Sequence, residues 1–220
     1  RPSQWPMEIV VARHCSHGGP RMDEQGRTDI PGLYAGGGEA GSGPHGADRM
    51  GGHMLGCGQV FGTRAGRDAA RFARESAAGS LSAGVVDQGL ERIRSLDSLQ
   101  GKIRPTTAKL ELQRRVWEDL NAVRTEAGCN RVLETVARIR QETIPQLHLK
   151  EPADRMEAMD LLNMLVVAEM SAKAIAMRTE SRGGHYREEY PEQNDAEWLK
   201  VITVRKENGQ MALDTLVIDP

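Results

Sequence analysis

The feature that most constrains this chain is its glycine density over residues 32–66, GLYAGGGEAGSGPHGADRMGGHMLGCGQVFGTRAG, where more than half of the 24 glycines fall. Glycine has no Cβ, so it takes positive φ at little cost and lets backbone N–H groups lie against a ligand. The stretch reads as a turn at Pro31-Gly32, a short buried strand at Leu33, Tyr34 and Ala35, a glycine loop, and then a helix from about Gly52. A helix N-terminus beside such a loop offers unpaired N–H groups and partial positive charge, suited to an anion or to a carbonyl oxygen gaining charge. Glu39 is the carboxylate that follows the strand, where dinucleotide-binding sheets place an acid that accepts from ribose hydroxyls. A solvated loop glutamate is the other reading that the residues alone leave open.

Composition narrows the class. A chain of 220 residues holds one or two ordinary domains, and a formal net charge of −2 argues against a nucleic-acid partner. The most apolar run, residues 161–170, is interrupted by Asn163 and Glu169 and falls short of the ~20 residues needed to cross a bilayer. Cys15, Cys57 and Cys129 are odd in number and show no CxxC spacing, which argues against a disulfide framework, a zinc site or an iron–sulfur site, and for a reducing compartment.

In chain order, MEIVVA at residues 7–12 is a β-branched run suited to a buried strand, and it delivers Arg13-His14-Cys15-Ser16-His17. A strand end does not put His14 and His17 on one face, and no third ligand is near, so no metal is expected; a hydrogen-bonded core histidine stays open for either. DEQGRTD at residues 23–29 reads as a hairpin turn between two strands, with Gly26 at the position that wants positive φ. HGADR at residues 45–49 puts the Arg49 guanidinium at the mouth of the glycine loop, where its planar fork can hold a carboxylate by two parallel bonds. An ordinary surface salt bridge is the alternative for Arg49. The helix then runs to about Ser76, and AAGSLSAG at residues 77–84 is a small-residue linker.

Beyond it, Leu90, Ile93 and Leu96 suggest one helix; Leu110, Val116, Trp117, Leu120 and Val123 a second; Val132, Leu133, Val136 and Ile139 a third. Pro152 opens the longest, to about Thr179. Four apolar-faced helices make a bundle. TESRGGHYREEYP at residues 179–191 is a charge-laced turn, and Asn208-Gly209 marks a hairpin between residues 201–205 and 211–218.

The order GLYA with GE, HGADR, a glycine pair and VFGxxAG resembles the C-terminal flavin-binding segment of the succinate dehydrogenase/fumarate reductase flavoprotein family, which includes L-aspartate oxidase. VWEDLNAVRTEAG at residues 116–128 is similar to the family's MWxxxGxxR segment, and the ESRGGHYREEYP run to its ESRGAHxRxDxP motif. The resemblance implies an α/β plus α fold: the C-terminal part of an FAD-binding, Rossmann-like domain, then a helical bundle and a C-terminal β-hairpin tail. The implied domains are residues 1–24, the end of a substrate-capping region; 25–79, the FAD-binding segment; 80–180, the bundle; and 181–220, the tail. No GxGxxG follows a strand with the βαβ context that a dinucleotide fold needs, so the chain is expected to be the C-terminal fragment of a longer flavoprotein.

The resemblance implies an enzyme with FAD as cofactor, moving hydride between flavin and a C4 dicarboxylate. His14 and Arg49 match the family's substrate-carboxylate binders. Glu39, Cys15, and the backbone of Met54 and Leu55 match its cofactor contacts. His53-Met54-Leu55 replaces the family's Asn-Ser-Leu, and Cys15-Ser16-His17 replaces its aromatic, threonine and methionine. The proton-shuttling arginine is expected upstream. The implied partners are membrane anchor subunits and an iron–sulfur subunit, with a cytoplasmic location on the inner face of the cell membrane. L-aspartate oxidase, and a non-catalytic remnant acting as a binding module, are the alternatives.

Overall fold

The computed structural model describes residues 18–40, 45–77, 79–80 and 82–218. The strand expected at residues 7–12 lies outside them, as do His14, Cys15 and His17. The chain divides into two compact units, Arg1–Ala77 and Ala78–Pro220.

The first unit is built on helix α1, His53–Glu75. Its face bearing Gly58, Gly62, Ala65, Asp68 and Phe72 receives the preceding loop, because small side chains there let another backbone approach. Of the hairpin turn expected at residues 23–29, a turn over residues 23–27 forms, with Asp23 Oδ1 accepting from the N–H groups of Gln25 and Arg27, both at 2.9 Å, but no strands flank it among the described residues. Gly26 has φ +78°, and a Cβ there would stand 2.8 Å from both the Ala35 carbonyl oxygen and Ala65 Cβ, so two constraints exclude a larger residue. The buried strand expected at residues 33–35 does not form. Tyr34 makes a single antiparallel bridge to Arg27, and Leu33 is largely exposed. The Thr28–Leu33 and Gly26–Ala35 backbone bonds close a hairpin too short to build a ladder before the glycines begin.

The second unit centres on α3, Pro105–Leu120, α4, Glu126–Arg138, and α5, Pro152–Met177, after a first helix α2, Ala83–Asp97. On α5 the buried residues are Asp154, Ala158, Leu161, Leu165, Ala168, Ala172 and Ile175, alternately four and three apart. That spacing is a continuous stripe down one side of a helix, and it packs on Leu112, Leu120, Val132 and Val136. Pro152 occupies the first turn, and Glu151 and Asp154 complete a capping box. Beyond α4 the chain passes through a π-helical turn, Ile139–Thr143, and a 3-10 turn, Ile144–Gln146, since Pro145 has no N–H with which to continue a helix.

Three expectations are corrected here. α2 sends only Leu96 into the core among its apolar residues, and Leu90 and Ile93 are exposed. On α3 the buried face is Ala108, Leu112 and Leu120, while Leu110 and Trp117 face outward. Val123 belongs to no helix: α3 ends at Leu120, and β1, Val123–Arg124, pairs in parallel with β2, Tyr186–Arg187. Apolar spacing proposes a stripe, but the neighbouring helices choose which of two overlapping stripes is covered.

The ESRG segment closes this unit through buried charge. The Arg187 guanidinium, 1% exposed, donates to the carbonyls of Ile175 at 2.6 Å and Ala176 at 3.3 Å, which the end of α5 leaves unpaired. Arg124 donates to the Leu120 and Gly184 carbonyls and to His185 Nδ1 at 3.4 Å. A guanidinium can only donate, so Nδ1 accepts and the imidazole proton sits on Nε2. After α6, Asp195–Trp198, strands β3, Lys200–Glu207, and β4, Gln210–Val217, form the expected hairpin, with Asn208 and Gly209 both at positive φ. Among the described residues no helix is long and apolar enough to cross a membrane.

Burial, with the cations of Arg124, Arg178 and Arg187, lowers the His185 pKa from 6.5 to about 4. An unfolded chain protonates this histidine near pH 6.5 and the folded one only near 4, so its contribution is intact above pH 6.5 and is lost as pH falls toward 4. Replacing it with glutamine, which keeps an acceptor for Arg124, is expected to flatten the dependence of the urea midpoint on pH across that window. An unchanged slope would show that other groups set it.

Candidate functional site

The site is a cleft of about 690 Å³ in the first unit, lined by Gly37, Gly38, Arg49, Gly51, Gly52, Met54, Leu55, Gly58 and Gln59. One wall is a 3-10 turn, Gly37–Glu39, laid flat on α1. A Cβ on Gly36 would lie 3.2 Å from the Gly62 nitrogen, and one on Gly37 would lie 3.4 Å from the Gly58 Cα, so loop and helix backbones are nearly in contact. Gly58 and Gly62 are one turn apart on α1, and this pairing is the reason for that spacing.

The floor is the start of α1. Gly52 precedes it at φ +83°, no side chain caps it, and its first turn carries no acidic residue. Helix starts leave their first N–H groups without helical partners. Those of Met54 and Leu55 belong to this set, and nothing in the first turn competes for or repels an electron-rich oxygen. A Cβ on Gly51 or Gly52 would meet nothing within 4 Å, so the space beside the helix start is open. A surface of this kind accepts a flat ring edge bearing carbonyl oxygens.

Arg49 is half-buried in the same cleft, and its backbone N–H donates to Asp48 Oδ1 at 2.9 Å. Arg49, Met54 and Leu55, singled out separately in the sequence, therefore share one cavity. Glu39 ends the 3-10 turn that walls it. His14 and Cys15 lie outside the described residues. The lining glycines all belong to the glycine-rich stretch that the sequence marks for close approach to a ligand, whereas nothing in the sequence singled out Gln59. Among the described residues no group of three or more His, Cys, Asp or Glu could hold a metal ion.

A family model described as FAD binding domain matches residues 2–55, and one described as Fumarate reductase flavoprotein C-term matches residues 109–219. Together with the glycine-walled cleft, these define a flavoprotein whose cofactor is FAD. The chain belongs to the succinate dehydrogenase/fumarate reductase flavoprotein family. The CoM/CoB fumarate reductase of Methanothermobacter marburgensis contributes a relative 34% identical over 205 residues, covering 91% of this chain and 37% of the relative. The L-aspartate oxidase of Streptomyces coelicolor is 32% identical over 204 residues, 91% of this chain and 34% of the relative. The solved FrdA of E. coli quinol fumarate reductase superposes with a TM-score of 0.82 at 26% identity, covering 91% of this chain and 36% of that chain. The chain thus spans little more than a third of the length of these relatives.

Proposed function

We propose that the whole protein is the flavoprotein subunit of a succinate dehydrogenase or fumarate reductase, exchanging hydride between flavin and a C4 dicarboxylate. The observation that carries this reading is the convergence of Arg49 with the uncapped start of α1 in one cleft. Bound FAD supplies a hydride-accepting and hydride-donating centre at N5. The chain's own residues do the rest. The N–H groups of Met54 and Leu55 would hold a ring carbonyl of the flavin and would favour negative charge there. By resemblance to the family, Glu39 is the carboxylate that would accept from ribose hydroxyls, and Cys15 a residue that would contact the cofactor. Arg49 takes one substrate carboxylate on its fork, and His14 donates to a carboxylate beside the flavin. Holding the substrate at both ends aligns its reacting carbon, so positioning accounts for much of the rate.

In this reading residues 1–24 end a substrate-capping region, 25–79 close the FAD-binding domain, 80–180 form a supporting bundle and 181–220 a tail. The partners are membrane anchor subunits, which hold the protein at the inner face of the cell membrane, and an iron–sulfur subunit. A second reading, L-aspartate oxidase, rests on the similarity to the Streptomyces enzyme. Steady-state turnover of succinate, fumarate and L-aspartate by the whole protein, with a small-molecule electron acceptor or donor, separates the two. Exchange with succinate or fumarate is the expected result, and turnover of L-aspartate alone assigns the oxidase.

A further inference from the structure

We infer that Asp68 is the positioning residue of the cofactor cleft: its carboxylate on α1 holds the short hairpin that feeds Gly36, Gly37 and Gly38 over the helix start. Asp68 is 8% exposed on the loop-bearing face of α1. Arg27 grips it with two bonds, Nε to Oδ2 at 2.5 Å and a terminal nitrogen to Oδ1 at 2.8 Å. The Tyr34 hydroxyl donates to Oδ2 at 3.1 Å, and Arg71, one turn on, also donates to Oδ1. Arg27 and Tyr34 are the bridged pair of the hairpin, so one carboxylate binds both of its arms to the helix. From Tyr34 the chain needs only three residues to reach Gly37 and the cleft wall.

The consequence is mechanical. α1 carries the clamp at Asp68, the contact of Ala65 with Gly26, the glycine contacts at Gly62 and Gly58, and its own start in the cleft. Ten residues, roughly 15 Å of helix, separate Asp68 from Gly58. The loop and the helix N–H groups are thus referenced to a single rigid rod. Without the carboxylate, Arg27 and Arg71 become like charges with only Asp23, 4.0 Å from Arg27, to offset them, and the Tyr34 arm of the hairpin loses its bond to α1. The Gly36 and Gly37 contacts alone offer no directional bond to hold the wall in place.

This proposal rests on the reading of the cleft as the flavin site. The test uses the whole protein, prepared as apoprotein and titrated with FAD, with visible circular dichroism of the bound flavin as second readout. Asp68→Asn and Arg27→Ala are each expected to raise the FAD Kd roughly tenfold, the size of one charged hydrogen bond, and to alter the flavin dichroism. The double variant is expected to be no worse than either single, because both remove one clamp. Arg71→Ala, which touches Asp68 but not the hairpin, is expected to stay within about twofold with unchanged dichroism. Unchanged Kd in Asp68→Asn and Arg27→Ala, equal loss in Arg71→Ala, or additive losses in the double variant would overturn the proposal. Gly51→Phe places a ring in the open part of the cleft and is expected to abolish FAD binding. Wild-type affinity in that variant overturns the cleft reading itself, and this proposal with it. Should Asp68→Asn fail to fold, Arg27→Ala decides alone, since that side chain is nearly half exposed.

Discussion

Arg49→Lys is expected to lower dicarboxylate turnover by about a hundredfold while the flavin stays bound, a loss typical of a substrate displaced by about an ångström from its reacting geometry. Lysine keeps the positive charge, so long-range attraction of the dianion survives. What disappears is the planar fork, which fixes a carboxylate in direction as well as distance. A single ammonium lets the substrate rotate in a cleft whose walls are largely glycine backbone and offer little steric correction. Because the fork both binds the carboxylate and aligns the reacting carbon, the lost bond should raise KM and the lost alignment should lower kcat. Flavin absorbance should remain that of wild type, since the helix start and the 3-10 wall are untouched. Turnover within twofold of wild type removes Arg49 from the substrate site, and loss of flavin absorbance makes it a cofactor residue instead.

Glu180→Ala is expected to destabilise the second unit by about 3–5 kcal/mol, the usual effect of removing one partner from a buried ion pair. Glu180 is fully buried, and its carboxylate accepts from Arg178 at 2.5 Å, from Arg182 at 2.8 and 3.0 Å, and from the Asn194 N–H at 2.8 Å. Burial pushes its pKa up, but the bonds from Arg182, Asn194 and Arg178 together outweigh burial and hold it below the ordinary carboxylate value. Arg178 also donates to the Trp198 and Lys200 carbonyls at the foot of the hairpin. Removing the carboxylate leaves two guanidiniums facing each other where α5 hands over to the hairpin. Urea unfolding checks the magnitude, and a loss under about 1 kcal/mol would mean that solvent or Asp195 takes over the role. Glu180→Gln keeps the volume and separates charge from packing: a loss close to that of alanine assigns the effect to charge.

Much of this architecture was readable from residue order, and the readable parts share a cause. The start of α1 follows from a glycine pair before a helical run, the start of α5 from Pro152, and the hairpin from Asn208-Gly209. Each is decided by backbone torsions available to a few adjacent residues, which sequence determines by itself. Arg49, Met54 and Leu55 are close in sequence, so a single turn into a helix suffices to bring them to one cavity.

Tertiary structure decided what local rules leave degenerate. Leu110 and Trp117 satisfy helical spacing as well as Leu112 and Leu120 do, and only the placement of α4 and α5 buries the second pair and exposes the first. Residues 33–35 have strand-like side chains, but a strand needs a partner of comparable length, and the turn before them supplies one bridge. Asp68 looks like any charged residue on an arginine-rich helix until Arg27 and Tyr34, 41 and 34 positions away, fold back onto it. A carboxylate's role depends on the donors that reach it: the fold brings Arg27 and Tyr34 to Asp68 and Asn194 to Glu180, whose other donors, Arg178 and Arg182, are only two positions away.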